Sequence, residues 1–103
     1  MVQMRCKQVY DQTVAAPGIV VVFFHSYDSA KSKEISKQYK DFAKSGTCAQ
    51  TQFCIVDIDE NLESVKELKI ESAPHFVMYE NGKITDFINS EGCENWESIK
   101  ERI

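Results

Sequence analysis

Six consecutive apolar residues, Ile19-Val20-Val21-Val22-Phe23-Phe24, constrain this chain more than any other stretch. A half-exposed strand alternates apolar and polar positions. An unbroken run of β-branched and aromatic residues instead reads as a strand buried on both faces of a sheet. The run passes through His25-Ser26-Tyr27-Asp28 into Ser29-Ala30-Lys31-Ser32-Lys33-Glu34. Ile35, Tyr39, Phe42 and Ala43 then recur at helical spacing, and Gly46 offers a C-terminal cap. A buried strand running straight into a helix sets the connecting loop and the helix N-terminus at one rim of the sheet. In α/β folds that rim is where ligands gather.

The remaining chain supplies neighbours for such a strand. Val2 to Cys6 alternates as a short strand, and Val9, Tyr10, Thr13 and Val14 mark one face of a helix that Pro17-Gly18 ends. Phe53-Cys54-Ile55-Val56-Asp57-Ile58-Asp59 reads as a second buried strand, with Asp59 capping a short helix whose inner face is Leu62, Val65 and Leu68. Asn81-Gly82, between His75-Phe76-Val77-Met78-Tyr79 and Ile84-Thr85-Asp86-Phe87-Ile88, is a strong hairpin signal. Glu94 to Ile103 closes as an amphipathic helix with Trp96, Ile99 and Ile103 inward. The order β-α-β-α-β-α-β-β-α predicts one α/β domain over residues 1–103. Its core is a central mixed five-stranded sheet with four helices on both faces.

With 103 residues, 43% apolar and 27% charged, the chain can bury a core without a metal or disulfide staple. A net charge of −4 and a pI near 5.1 argue against nucleic-acid and anionic-membrane partners. No apolar run is long enough to span a bilayer, and no secretory signal is visible, so the cytoplasm is the expected location. Cys6, Cys48, Cys54 and Cys93 include no Cys-x-x-Cys pair. Scattered thiols in such a chain read as reduced, with Cys54 in the core and the other three near element ends.

The element order, Val56-Asp57-Ile58-Asp59 after a buried strand, Ala73-Pro74 before another, and Glu80-Asn81-Gly82-Lys83 at the hairpin together resemble the thioredoxin family over nearly the whole chain. The resemblance implies the thioredoxin fold. It also sets Asp28-Ser29-Ala30-Lys31-Ser32 where the family carries Trp-Cys-Gly-Pro-Cys, so that Ser29 and Ser32 stand at both cysteine positions. The family's buried aspartate falls on Phe23, and its polar partner on Ile55. A substitution confined to the active thiols would have left those neighbours in place, so the loss of dithiol–disulfide exchange reads as native. Lys37 takes the place of a kinking proline, which implies a straighter helix. Asn89 takes the place of a glycine, and asparagine tolerates positive φ.

By the same resemblance Pro74 is a cis-proline facing the helix N-terminus. The groove around it comprises Tyr27, Asp28, Ala30, Lys31, Ser72, Ala73, Pro74 and His75, with His25 near by. A free backbone edge beside tyrosine and histidine suits peptide recognition by strand addition. A relic groove with nothing bound is the other reading. Ser29 reads as a helix cap, since neither Ser-x-x-Lys nor Gly-x-Ser-x-Gly is present to activate a serine. His25, His75 and Asp28 could meet at the rim, but they lack the spacing of a zinc site. No catalytic residue, metal or cofactor is implied. The expected function is a redox-inactive module that binds a protein or peptide. The alternative is a noncanonical thiol oxidoreductase using one scattered cysteine, for example through a mixed disulfide with glutathione. Cys93, near the start of the last helix, is the thiol best placed by the helix dipole.

Overall fold

Residues 1–103 are described by a computed structural model, in which the apolar run becomes the middle strand of the sheet. The elements are β1 (Val2–Gln3), α1 (Lys7–Val14), β2 (Ile19–His25), α2 (Ala30–Lys44), β3 (Thr51–Asp57), α3 (Leu62–Glu67), β4 (His75–Glu80), β5 (Lys83–Ile88) and α4 (Trp96–Lys100). The strand order is β1-β3-β2-β4-β5. β2 runs parallel to β3 and antiparallel to β4, so Phe23 faces Ile55 on one side and Phe76 on the other.

Val20 to Phe24 are all 0–1% exposed, and alternate residues of the run feed two separate cores. Val21 and Phe23 pack with Ile35, Tyr39, Phe76, Trp96 and Ile99 beneath α2 and α4. Val20, Val22 and Phe24 pack with Met4, Tyr10, Val14, Val77 and Tyr79 on the α1 and α3 side. Each such side chain contributes about 1.5–3 kcal/mol by leaving water. Phe23 stacks on Phe76 with ring centroids 4.7 Å apart, and the Tyr39 ring lies 5.1 Å from Phe23. The Tyr39 hydroxyl donates to the carbonyls of Cys54 (2.8 Å) and Val21 (3.1 Å) and accepts from the Cys54 N–H (3.1 Å). It thereby ties α2 to both central strands.

Local chemistry explains the boundaries. α2 runs unbroken through Lys37, and Gly46 follows it at φ 74°. Asn81 (φ 52°) and Gly82 (φ 83°) take the left-handed conformations of a type I′ hairpin turn, and the Asn81 side chain accepts from the Gly18 N–H at 2.9 Å. Five expectations fail here. β1 is only two residues long. α3 is capped by Asn61, not Asp59: the Asp57 carboxylate accepts from the Asp59 N–H at 2.9 Å, which holds a turn and delays the helix. Leu62 then falls on the outer face and is 56% exposed. Val9 is likewise exposed on α1. Asn89 does not adopt positive φ; its carbonyl and side-chain oxygens both accept from the Gly92 N–H at 3.0 Å. No helix is long and apolar enough to cross a membrane.

Tyr39→Phe keeps the ring and removes the hydroxyl that joins α2 to β2 and β3. Leaving those buried backbone groups unpaired should cost about 1–3 kcal/mol. A lower urea midpoint at unchanged slope is the expected result. An unchanged midpoint would show that the hydroxyl contributes nothing.

Candidate functional site

The rim is assembled by serines. β2 ends at His25, and Ser26 turns the chain: its carbonyl accepts from the Ser29 N–H (3.2 Å) and its hydroxyl from the Asp28 N–H (3.2 Å). Ser29 is the N-cap of α2, its hydroxyl accepting from the Ser32 N–H at 3.1 Å. The Ser32 hydroxyl, 1% exposed, accepts from the Ser26 N–H at 3.3 Å. These bonds satisfy donors that a helix start otherwise leaves unpaired. The Ser29 hydroxyl also donates across the rim to the Ala73 carbonyl at 3.4 Å, and the Ala73–Pro74 peptide beside it is cis.

A third loop closes the rim. Lys31 Nζ donates to the Glu94 carbonyl at 2.8 Å, and the Ser72 and Ser90 hydroxyls meet at 2.7 Å. Ser26, Ser90 and Glu94 were not singled out from the sequence. A serine between strand and helix is a turn signal that would have found Ser26. The other two join the site only through tertiary pairing. Asp28, Ala30, Lys31 and Ser72 are exposed, Ser29 and Ala73 partly so, and Pro74 is buried. Tyr27 is 66% exposed and meets His25 edge-on at 4.9 Å. The Ala73 N–H makes no hydrogen bond within the chain, and its carbonyl accepts only the long one from Ser29.

His25 and His75 do not converge. The antiparallel register sets His75 opposite Phe24, so the two histidines point to opposite faces of the sheet. His25 lies against Phe23 on the α2 side, while His75 lies against Phe24 and Phe87 on the α1 and α3 side. No group of three His, Cys, Asp or Glu side chains is arranged to hold a metal. Burial lowers both imidazole pKa values; for His25, Asp57 and Glu60 pull upward while Lys40 pushes down. His75 Nε2 is buried without a partner.

All four thiols are free. Burial pushes Cys54 up to about 12 and Cys93 up to about 11. Cys93 precedes the α4 cap, Asn95, by two residues and is 1% exposed, so the helix dipole does not make it an exposed thiolate. Cys6, at the α1 N-cap, is exposed, and Cys48 is partly buried.

A central strand covered on both faces, a helix starting at its end and a cis-proline loop facing that start define a thioredoxin-fold protein. The thioredoxin family model matches residues 1–103, and the chain belongs to that family. A thioredoxin from Geodia cydonium is 28% identical, covering 97% of this chain and 92% of its own. Thioredoxin-like protein 1 of Schizosaccharomyces pombe is 24% identical over 100% of this chain, which spans 34% of that relative's length. The structure of Plasmodium falciparum thioredoxin superposes with a TM-score of 0.87 at 24% identity, covering 99% of this chain and 95% of that one. At that identity the likeness shows the fold.

The histidines set a pH dependence. Each has a lowered folded pKa, so below about 6.5 the unfolded chain binds protons that the folded chain resists. Stability from this source is complete above the unfolded pKa and declines as pH falls through it. The melting temperature should therefore drop between about pH 7.5 and about pH 5.5, less steeply in His75→Gln. A melting temperature that rises on acidification would contradict neutral burial of the two rings.

Proposed function

We propose that this chain binds extended peptide or protein segments at the rim between α2 and Pro74, without exchanging disulfides. The observation that carries the reading is the partly buried Ala73, whose N–H is unpartnered and whose carbonyl is weakly held; Tyr27, 66% exposed, stands on the loop whose Ser29 reaches that carbonyl. Strand addition supplies such groups with partners, and an exposed tyrosine gives an anchor. The redox-silent part of the reading rests on the serines. Where the family resemblance sets two cysteines, Ser29 caps the helix and Ser32 holds the preceding loop, with hydroxyls that cannot form mixed disulfides. The core behind them offers no carboxylate or amine to move a proton, because Phe23 and Ile55 face each other there. A reducing, cytoplasmic setting suits four free thiols.

A second reading, thiol redox chemistry through a scattered cysteine, is favoured by relatives that are named thioredoxins and by the exposed Cys6. A dithiol-coupled insulin assay separates the two. Insulin reduction should stay at the no-protein rate, and turnover abolished by Cys6→Ser would move the conclusion to the second reading. Binding of labelled unstructured peptides, followed by fluorescence polarisation, should weaken about 30-fold in Tyr27→Ala, as for an aromatic anchor contributing about 2 kcal/mol. His75 is a poor probe because it is buried and its replacement also disturbs packing. Equal peptide binding by wild type and Tyr27→Ala would place recognition on another face.

A further inference from the structure

α2 concentrates positive charge in an acidic chain. It carries Lys31, Lys33, Lys37, Lys40 and Lys44 against only Glu34 and Asp41, while the net charge of the whole chain is −4. At about 100° per residue, Lys33, Lys37, Lys40 and Lys44 line up along one edge of the helix. None of these four forms an ion pair; the chain's ion pairs engage Arg5, Lys7 and Arg102 instead. Lysines four apart repel one another, a cost that Glu34 and Asp41 offset only in part and that an anion would relieve.

Beside that edge, between α2 and the β2–α2 loop, lies a cavity of about 350 Å³. Lys33, Lys37, Lys40, Ser36, His25 and Tyr27 are among the residues lining it, and no carboxylate is. His25 is 8% exposed, and neither nitrogen of its ring hydrogen-bonds within the chain. A nearly buried imidazole without a partner, at a wall shared with three ammonium groups, is a donor set awaiting an acceptor. The opposing charges lie in an adjoining depression that shares His25, Tyr27 and Lys40 with this one. There Asp57 and Glu60 accompany Arg5 and Lys40, and Glu60 pairs with Arg5 at 3.7 Å.

The donor set discriminates among anions. A carboxylate brings one charge, whereas a phosphomonoester brings about −1.5 to −2 charges at neutral pH and three acceptor oxygens. Three lysines, a serine hydroxyl and an imidazole match the second. Lysine serves phosphate as a point charge, without the fork geometry that arginine gives to planar groups. We propose that this cleft binds a phosphomonoester dianion, either free or carried on a phosphorylated peptide side chain. The cleft does not include Ala73, although Tyr27 lines it, and the proposal stands whether or not the Ala73 edge binds peptide.

The experiment is an amide and imidazole NMR titration at constant ionic strength. Its probes are inorganic phosphate, a phosphoserine peptide, the same peptide unphosphorylated, and acetate. Phosphate and the phosphopeptide should give saturable shifts confined to His25, Ser26, Ser36 and Lys37; acetate and the unmodified peptide should not. Lys33→Ala with Lys37→Ala, both exposed positions, should weaken binding at least about tenfold, as for lost charge-assisted hydrogen bonds. Lys66→Ala, on α3 across the sheet, should leave it unchanged. Equal affinity for phosphate and phosphopeptide assigns the site to free phosphomonoesters, and tighter peptide binding assigns it to phosphoproteins; both support the proposal. Shifts that fail to saturate, that scatter over other lysines, or that survive the double substitution overturn it.

Discussion

β2 has no face that meets water. Five consecutive residues at its centre are almost wholly enclosed, so each flank must hold a strand and each face a layer of helix. β3 and β4 take the flanks, and the helices divide between the faces, producing two cores that never mix across the sheet. The site follows from the same requirement. Because β2 is central and leads directly into α2, the helix start opens beside the entry to β4, and the Pro74 loop has nowhere to lie but opposite it.

That arrangement can house acid–base chemistry or exclude it, and residue 23 decides which. An ionised group at a fully enclosed position costs several kcal/mol unless it is paired, and apolar replacement of a buried pair is often neutral or stabilising. Phe23 stacks on Phe76 and meets the tilted Tyr39 ring, with Ile55 alongside, and this core is correspondingly apolar. The serines above it are structural groups. Ser29 and Ser32 absorb free donors at the helix start and the loop, which ties the two together while leaving the Ala73 N–H unpaired. A tied loop with one free backbone N–H suits recognition, since less ordering entropy is then lost on binding.

Much of this was legible in the sequence because single segments carried it. The apolar run, the helical spacing of Ile35 and Tyr39, the Ser29 cap and the Asn81-Gly82 turn are all local signals, and each appears where expected. The misreadings involve choices made between segments. Asp57 and Asp59 compete for the turn before α3, and the winner is set by the backbone path rather than by residue preference. Which histidine shares a face with which depends on strand register, and a shift of one residue would have brought His25 and His75 together. The lysine stripe was visible as letters, but the cavity beside it exists only once the β2–α2 loop folds against the helix.

The central proposal is that the rim exchanges no disulfides because more than two thiols is missing. Restoring those thiols alone, by Ser29→Cys with Ser32→Cys, tests it most directly. Cysteines at those neighbouring positions can meet disulfide geometry, so mild oxidation should close an intramolecular bridge. Insulin reduction should still fall far below that of a thioredoxin control. Phe23 and Ile55 supply no carboxylate or amine behind the second thiol, and general-base help is typically worth about 100- to 10,000-fold. In addition, Asp28 opposes a thiolate at position 29. Thioredoxin-level turnover in the double variant would contradict the claim and show that the two hydroxyls alone silence the protein.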